Sequence, residues 1–146
     1  MKLKKWTRVA CLGLLMAMLL SGCASEIPIP EDMDEQALLA AGQEVFDLLI
    51  ADEFETICDR IRDDIVTQVE ITPEKIQKQM DVDEQQYGKL KKVKETWTSG
   101  VPADEEAKIE EHVIAWFECE YAEQRLVYGF SFDLDLNLIG MSVNRE

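Results

Sequence analysis

At His112 the hydrophobic period of this 146-residue chain changes from about 3.6 residues to two, which predicts a helical half followed by a strand half. Helical spacing begins at Asp34, where Leu38, Ala41, Val45, Leu48 and Leu49 share a face and Glu35, Glu44 and Asp47 lie off it. Asp52 reads as the N-cap of a second stretch, with Phe54, Ile57, Cys58, Ile61 and Ile65 recurring at three and four residues. Thr72-Pro73 is a third start signal, a capping hydroxyl with proline at the first helical position, before a short helix carrying Ile76 and Met80. Past His112, Val113, Ala115, Phe117, Cys119 and Tyr121 alternate with His112, Ile114, Trp116, Glu118 and Glu120. Leu126, Tyr128, Phe130 and Phe132 alternate in the same way, Asp133 to Asn137 reads as a turn, and Leu138 to Val143 as the last strand. Three helices before about residue 82 and strands after about residue 88 predict an α+β domain over 32–146, with helices packed on an antiparallel meander.

One segment is in conflict. Tyr87, Leu90, Val93 and Trp97 sit at helical spacing, and local pattern alone favours a helix there. Against this, Gly88 interrupts the run, and lysine-rich strands make good sheet edges.

The first 22 residues have the parts of an export signal. Lys2, Lys4, Lys5 and Arg8 form a cationic head, and Val9 to Leu20 is an uncharged apolar run. That run falls short of the roughly 20 apolar residues of a spanning helix and suits the apolar core of a signal peptide. Leu20-Ser21-Gly22-Cys23 closes it and resembles the bacterial lipobox. The resemblance implies that residues 1–22 are removed and that Cys23 carries a diacylglyceryl anchor on the extracytoplasmic face of the cell membrane. Two acyl chains suffice for stable anchoring, since each buried methylene contributes about 0.8 kcal/mol. Ala24 to Glu31 then reads as a tether, kept extended by Pro28 and Pro30 and spanning about 25 Å.

The four signal cations leave with that segment, so 11 Lys plus Arg face 30 Asp plus Glu over 124 residues, a net charge near −19. Such a charge opposes nucleic-acid binding, which needs cations against phosphates, and opposes lying flat on anionic lipid. A protein, a cationic peptide or a small apolar ligand remains as partner, besides the membrane holding the anchor. A domain of this length can bury a core without metals or disulfides.

The lipobox, the acidic helices, Tyr87-Gly88-Lys89-Leu90-Lys91-Lys92-Val93, and Phe130-Ser131-Phe132-Asp133 through Leu138-Ile139-Gly140 together resemble the family called domain of unknown function 3887, found in Gram-positive lipoproteins. That family is similar in fold to the nuclear-transport-factor-like (cystatin-like) cone, in which helices cover a curved four-stranded antiparallel sheet. The resemblance covers about Asp34 to Val143 and implies that Lys89 to Thr98 is the first strand, a reading adopted here over the helix. It carries over no catalytic residue.

The motifs of catalysis are mostly near misses. Gly129-Phe130-Ser131-Phe132-Asp133 ends in aspartate where a nucleophile elbow needs glycine, and it lies within a strand. His112 is the one histidine, beside Glu110 and Glu111, and has no second histidine for zinc. Asp133, Asp135 and Asn137 begin a calcium-loop pattern that fails at Leu138 and Asn144, and Asp81, Asp83 and Glu84 begin one that fails at Gln85 and Gln86. No metal or cofactor is therefore expected. Cys58 and Cys119 both fall on core faces, and a disulfide between them would contribute roughly 4 kcal/mol; two buried free thiols are the alternative. Trp97, His112, Trp116 and Tyr128 are the candidates to line a pocket if the sheet curves as a cone, and ordinary core aromatics otherwise.

These readings point to a non-enzymatic binding or accessory lipoprotein. The alternative is a small-molecule hydrolase or isomerase in a cone pocket, which would need a buried carboxylate or His112 beside a cavity.

Overall fold

Four helices precede four strands in the computed structural model, which describes residues 27–145. The signal segment and Cys23 lie outside that range. Helix α1 (Glu35–Ile50) starts where Asp34 accepts the backbone N–H groups of Gln36 and Ala37 at 2.9 and 3.3 Å. Helices α2 (Phe54–Arg60) and α3 (Asp63–Val69) follow. Helix α4 (Pro73–Tyr87) begins at Thr72, whose hydroxyl accepts the Lys75 N–H. It ends at Gly88, whose φ of +82° lies where residues with a Cβ are strained.

Strands β1 (Leu90–Val101), β2 (His112–Tyr121), β3 (Arg125–Phe132) and β4 (Leu138–Arg145) form one antiparallel sheet in sequence order. The fold is α+β, and the first strand, expected at Lys89 to Thr98, runs over Leu90–Val101. Lys91, Lys92 and Lys94 sit exposed on an edge strand with two register shifts, where solvated cations are easily accommodated.

Alternation in β2 and β3 sends one face to the helices. Val113, Ala115, Phe117 and Cys119 are all buried there, with Leu126, Tyr128, Phe130 and Phe132 beside them. Phe46 of α1 stacks on Phe117 at 5.2 Å and meets Phe130 edge-on at 6.3 Å. The stripe expected on α1 did not include Phe46 or Gly42. The buried face is Leu38, Gly42, Val45, Phe46 and Leu49, with Ala41 and Leu48 only partly covered. Gly42 permits this closeness, because a Cβ there would lie 2.7 Å from the Ala115 Cβ.

Three boundaries differ from expectation. Asp52 does not cap α2; it takes a left-handed φ of 58° in the turn after α1, and the N-cap position is Glu53 with no side-chain bond. The second helical stretch is two helices, because Ile61 turns extended and bridges Leu138 while Arg62 N–H donates to the Leu138 carbonyl at 2.9 Å. Burying Ile61 against the sheet outweighs continuing the helix. The presumed tether is also docked from Ile27 onward: Gly100 N–H donates to the Ile27 carbonyl at 2.6 Å, and Ile29 packs on the core.

Candidate functional site

Helix α4 and strand β4 line the two sides of a cleft of about 610 Å³. That volume is within the usual range for small-ligand sites. Ile76, Gln79 and Met80 line the α4 side because they recur at helical spacing, and Met141 to Arg145 of β4 line the other. Leu49 and Tyr128 also line it, as do Val69 to Ile71 from the α3–α4 connection. Val69 is 59% exposed. Glu70 ends α3 in the left-handed conformation, φ 48° and ψ 51°. Its carbonyl accepts Lys75 Nζ at 2.9 Å, which ties that connection to α4.

Polar groups collect beside this apolar lining. Tyr128 and Tyr121 hydroxyls lie 2.6 Å apart, and Tyr128 OH reaches the Met80 sulfur at 3.9 Å. Burial pushes the pKa of both phenols up, and the shared hydrogen bond raises that of Tyr128 further while it lowers that of Tyr121. Asp83, fully buried on α4, accepts Gln79 Nε2 at 3.0 Å and lies 3.8 Å from the Arg145 guanidinium. Its Oδ2 has no hydrogen-bond partner among the described residues. Arg145 also sits over the Tyr87 ring, 5.6 Å from its centroid. A second cleft of about 430 Å³ is lined by Tyr121 and Leu90, and Leu49 and Met80 belong to both spaces.

The four expected pocket residues separate. Tyr128 faces the helices and lines the cleft. Trp97 and Trp116 stack on one another at 6.1 Å across the opposite face of the sheet, where Trp116 donates to Ser99 Oγ at 2.8 Å. Trp116 covers Gly129, whose missing Cβ would fall 2.5 Å from the indole. His112, at the start of β2, donates from Nδ1 to the Glu110 carbonyl at 2.7 Å. It lines a depression of only about 140 Å³ with Ile27 and Pro28. Sheet alternation explains the separation: Tyr128 and Trp116 belong to opposite parities.

Cys58 and Cys119 are free thiols rather than a disulfide. Cys119 donates to the Phe117 carbonyl at 3.6 Å, and burial, then Glu118, push its thiol up to about 12. Burial, then Asp59 and Glu74, raise that of Cys58. Neither is a ready nucleophile. Ser131 lies within β3, so no elbow forms. Asp133 spends its oxygens on its own turn and on Arg62, accepting Asp135 and Asn137 N–H groups at 3.0 and 2.8 Å and the Arg62 guanidinium at 3.1 Å. Among the described residues no group of three or more His, Cys, Asp and Glu side chains could hold a metal, and no helix is long and apolar enough to cross a membrane.

Sequence reasoning met Asp83 only as part of a failed calcium pattern. A better signal was its place in the series Ile76, Met80, Asp83 and Tyr87, a carboxylate on the stripe that faces inward. The role of β4 as a cleft wall had no sequence signal, since strand order decides which edge is free.

No family model matches the chain, and no curated protein matches it. An NMR structure of a protein from Ruminococcus gnavus is similar over 80% of this chain and 96% of that one, with a TM-score of 0.61 and 19% identity. That likeness concerns the fold alone.

Proposed function

We propose that this protein is a lipid-anchored extracytoplasmic binding module that takes its ligand between α4 and β4. The observation that carries the reading is the cleft itself: Val69, Ile71, Ile76, Met80, Met141 and Val143 line it, with Glu70, Lys75, Gln79 and Arg145 among its polar groups. An apolar wall with polar groups beside it suits binding. The anchor at Cys23 rests on Leu20-Ser21-Gly22-Cys23, and kinship with domain of unknown function 3887 rests on the sequence motifs that resemble it.

Indole titrated into the isotope-labelled full chain in phospholipid nanodiscs tests it. Shifts should concentrate at Ile71, Ile76, Met80 and Met141, and Ile71→Arg should weaken them at least tenfold. Shifts confined elsewhere would sink the reading. A second reading has one observation in its favour, since a hydrolase or isomerase would want a buried carboxylate and Asp83 is one. Turnover in a broad screen, removed by Asp83→Asn with binding intact, would replace binding with catalysis.

A further inference from the structure

The sheet has two edges, and they are protected unequally. The β1 edge carries Lys91, Lys92 and Lys94, has two register shifts, and is covered at Gly100 by the Ile27 carbonyl. These are the usual devices that stop an edge strand from recruiting another chain. The β4 edge has none of them from Met141 to Asn144, a run of Met, Ser, Val and Asn. Among the described residues, the backbone partners of Met141 to Arg145 all lie on β3, leaving the outer groups of that strand unpaired.

The molecule already adds extended backbone to this edge one step earlier. Ile61 bridges Leu138 in parallel, with Arg62 N–H donating to the Leu138 carbonyl at 2.9 Å. Beyond that bridge the edge runs directly into the cleft. Register puts Met141 and Val143 on the helix-covered face, opposite Phe130 and Tyr128, and Ser142 and Asn144 on the other. A strand laid along β4 would send alternate side chains toward Val69, Ile71 and Ile76, and the rest toward solvent. Five residues of edge span about 14 Å, enough for a peptide of similar length.

We infer that the free edge of β4 takes an extended peptide as a fifth strand, with alternate apolar side chains entering the cleft and basic residues flanking them. Main-chain pairing supplies affinity in this mode, and the cleft selects side chains. The basic flanks follow from the chain's net charge of −15 and from Glu70 in the lining, since Lys75 is held by Glu70, and Arg145 lies against Asp83 and the Tyr87 ring. This inference rests on the binding reading above and names its ligand.

The test uses the full chain in nanodiscs and a pool of heptapeptides alternating valine and threonine between terminal lysines and arginines. Binding should slow amide exchange at Met141 to Arg145. A matching pool N-methylated at alternate amides should bind at least tenfold more weakly, because methylation removes pairing donors and keeps the side chains. Val143→Lys, which places a cation in the cleft, should weaken the unmodified pool by a similar factor. Equal binding of the methylated pool, protection confined to β1, or no binding would each overturn the inference. If indole still bound the cleft in those cases, the binding reading would stand and only its peptide would be lost.

Discussion

Asp133 shows how one side chain can hold several segments together. Its oxygens accept two backbone N–H groups of the β3–β4 turn and the Asn137 amide, and Arg62 reaches it at 3.1 Å while also bonding Asp64 and Glu110. Burial pushes the Asp133 pKa up, but the hydrogen bonds from Asn137, Arg62 and Asp135 outweigh it and hold the carboxyl below its usual range. A carboxylate whose folded pKa is depressed stabilises fully above its unfolded value of about 3.9, and that contribution drains as pH falls through the lowered value. Asp133→Ala should therefore cost about 2 kcal/mol at neutral pH and clearly less at about pH 2. Urea denaturation at both pH values measures this, and an equal loss at each would contradict the linkage. The cysteines give a second residue-scale expectation. Alkylation of unfolded, unreduced protein should label both Cys58 and Cys119, and in the native state Cys58 should react first because Cys119 is buried. A disulfide-linked peptide pair would refute it.

Helix α1 meets β2 more closely than ordinary side chains permit, and Gly42 is the reason. In an isolated helix, alanine would be favoured over glycine by about 1 kcal/mol. Here the added methyl would come within 2.7 Å of the Ala115 Cβ and 2.9 Å of the Phe117 ring. Overpacking of that kind costs about 1–3 kcal/mol and should reverse the helix preference. Gly42→Ala is expected to lower the urea midpoint; an unchanged or higher midpoint would mean that α1 shifts freely on the sheet. The α2–α3 break follows the same logic, since burying Ile61 at the edge of β4 overrides the helical spacing of Ile57, Ile61 and Ile65.

At the scale of the whole molecule, the docked Ile27–Pro30 segment changes how the anchor would act. Four residue steps separate Cys23 from Ile27, at most about 14 Å of extended chain, rather than the longer spacer expected from the prolines. With lipid on Cys23, the end of the sheet bearing Gly100 and His112 would stay close to the membrane. Cys23→Ala should abolish incorporation of labelled fatty acid and move the protein out of the membrane fraction. Retained labelling would remove the anchor from this account.

Period and capping chemistry were enough to determine the helical and strand halves, the starts of α1 and α4, and the inward face of β2. Each depends on side chains within a few residues of one another, which local spacing records. Lys89 to Trp97 was ambiguous at that range; pairing with β2 makes it a strand, with Gly88 as the hinge. The separation of Tyr128 from Trp97 and Trp116 follows from alternation within known strands, once the helices have chosen a face. What only the tertiary structure decided is the candidate site. Residues as far apart as Leu49 and Arg145 line one cleft because α4 faces a strand whose outer edge has no backbone partner from Met141 to Arg145 among the described residues. No spacing along the chain encodes that vacancy, since it depends on which elements end up side by side.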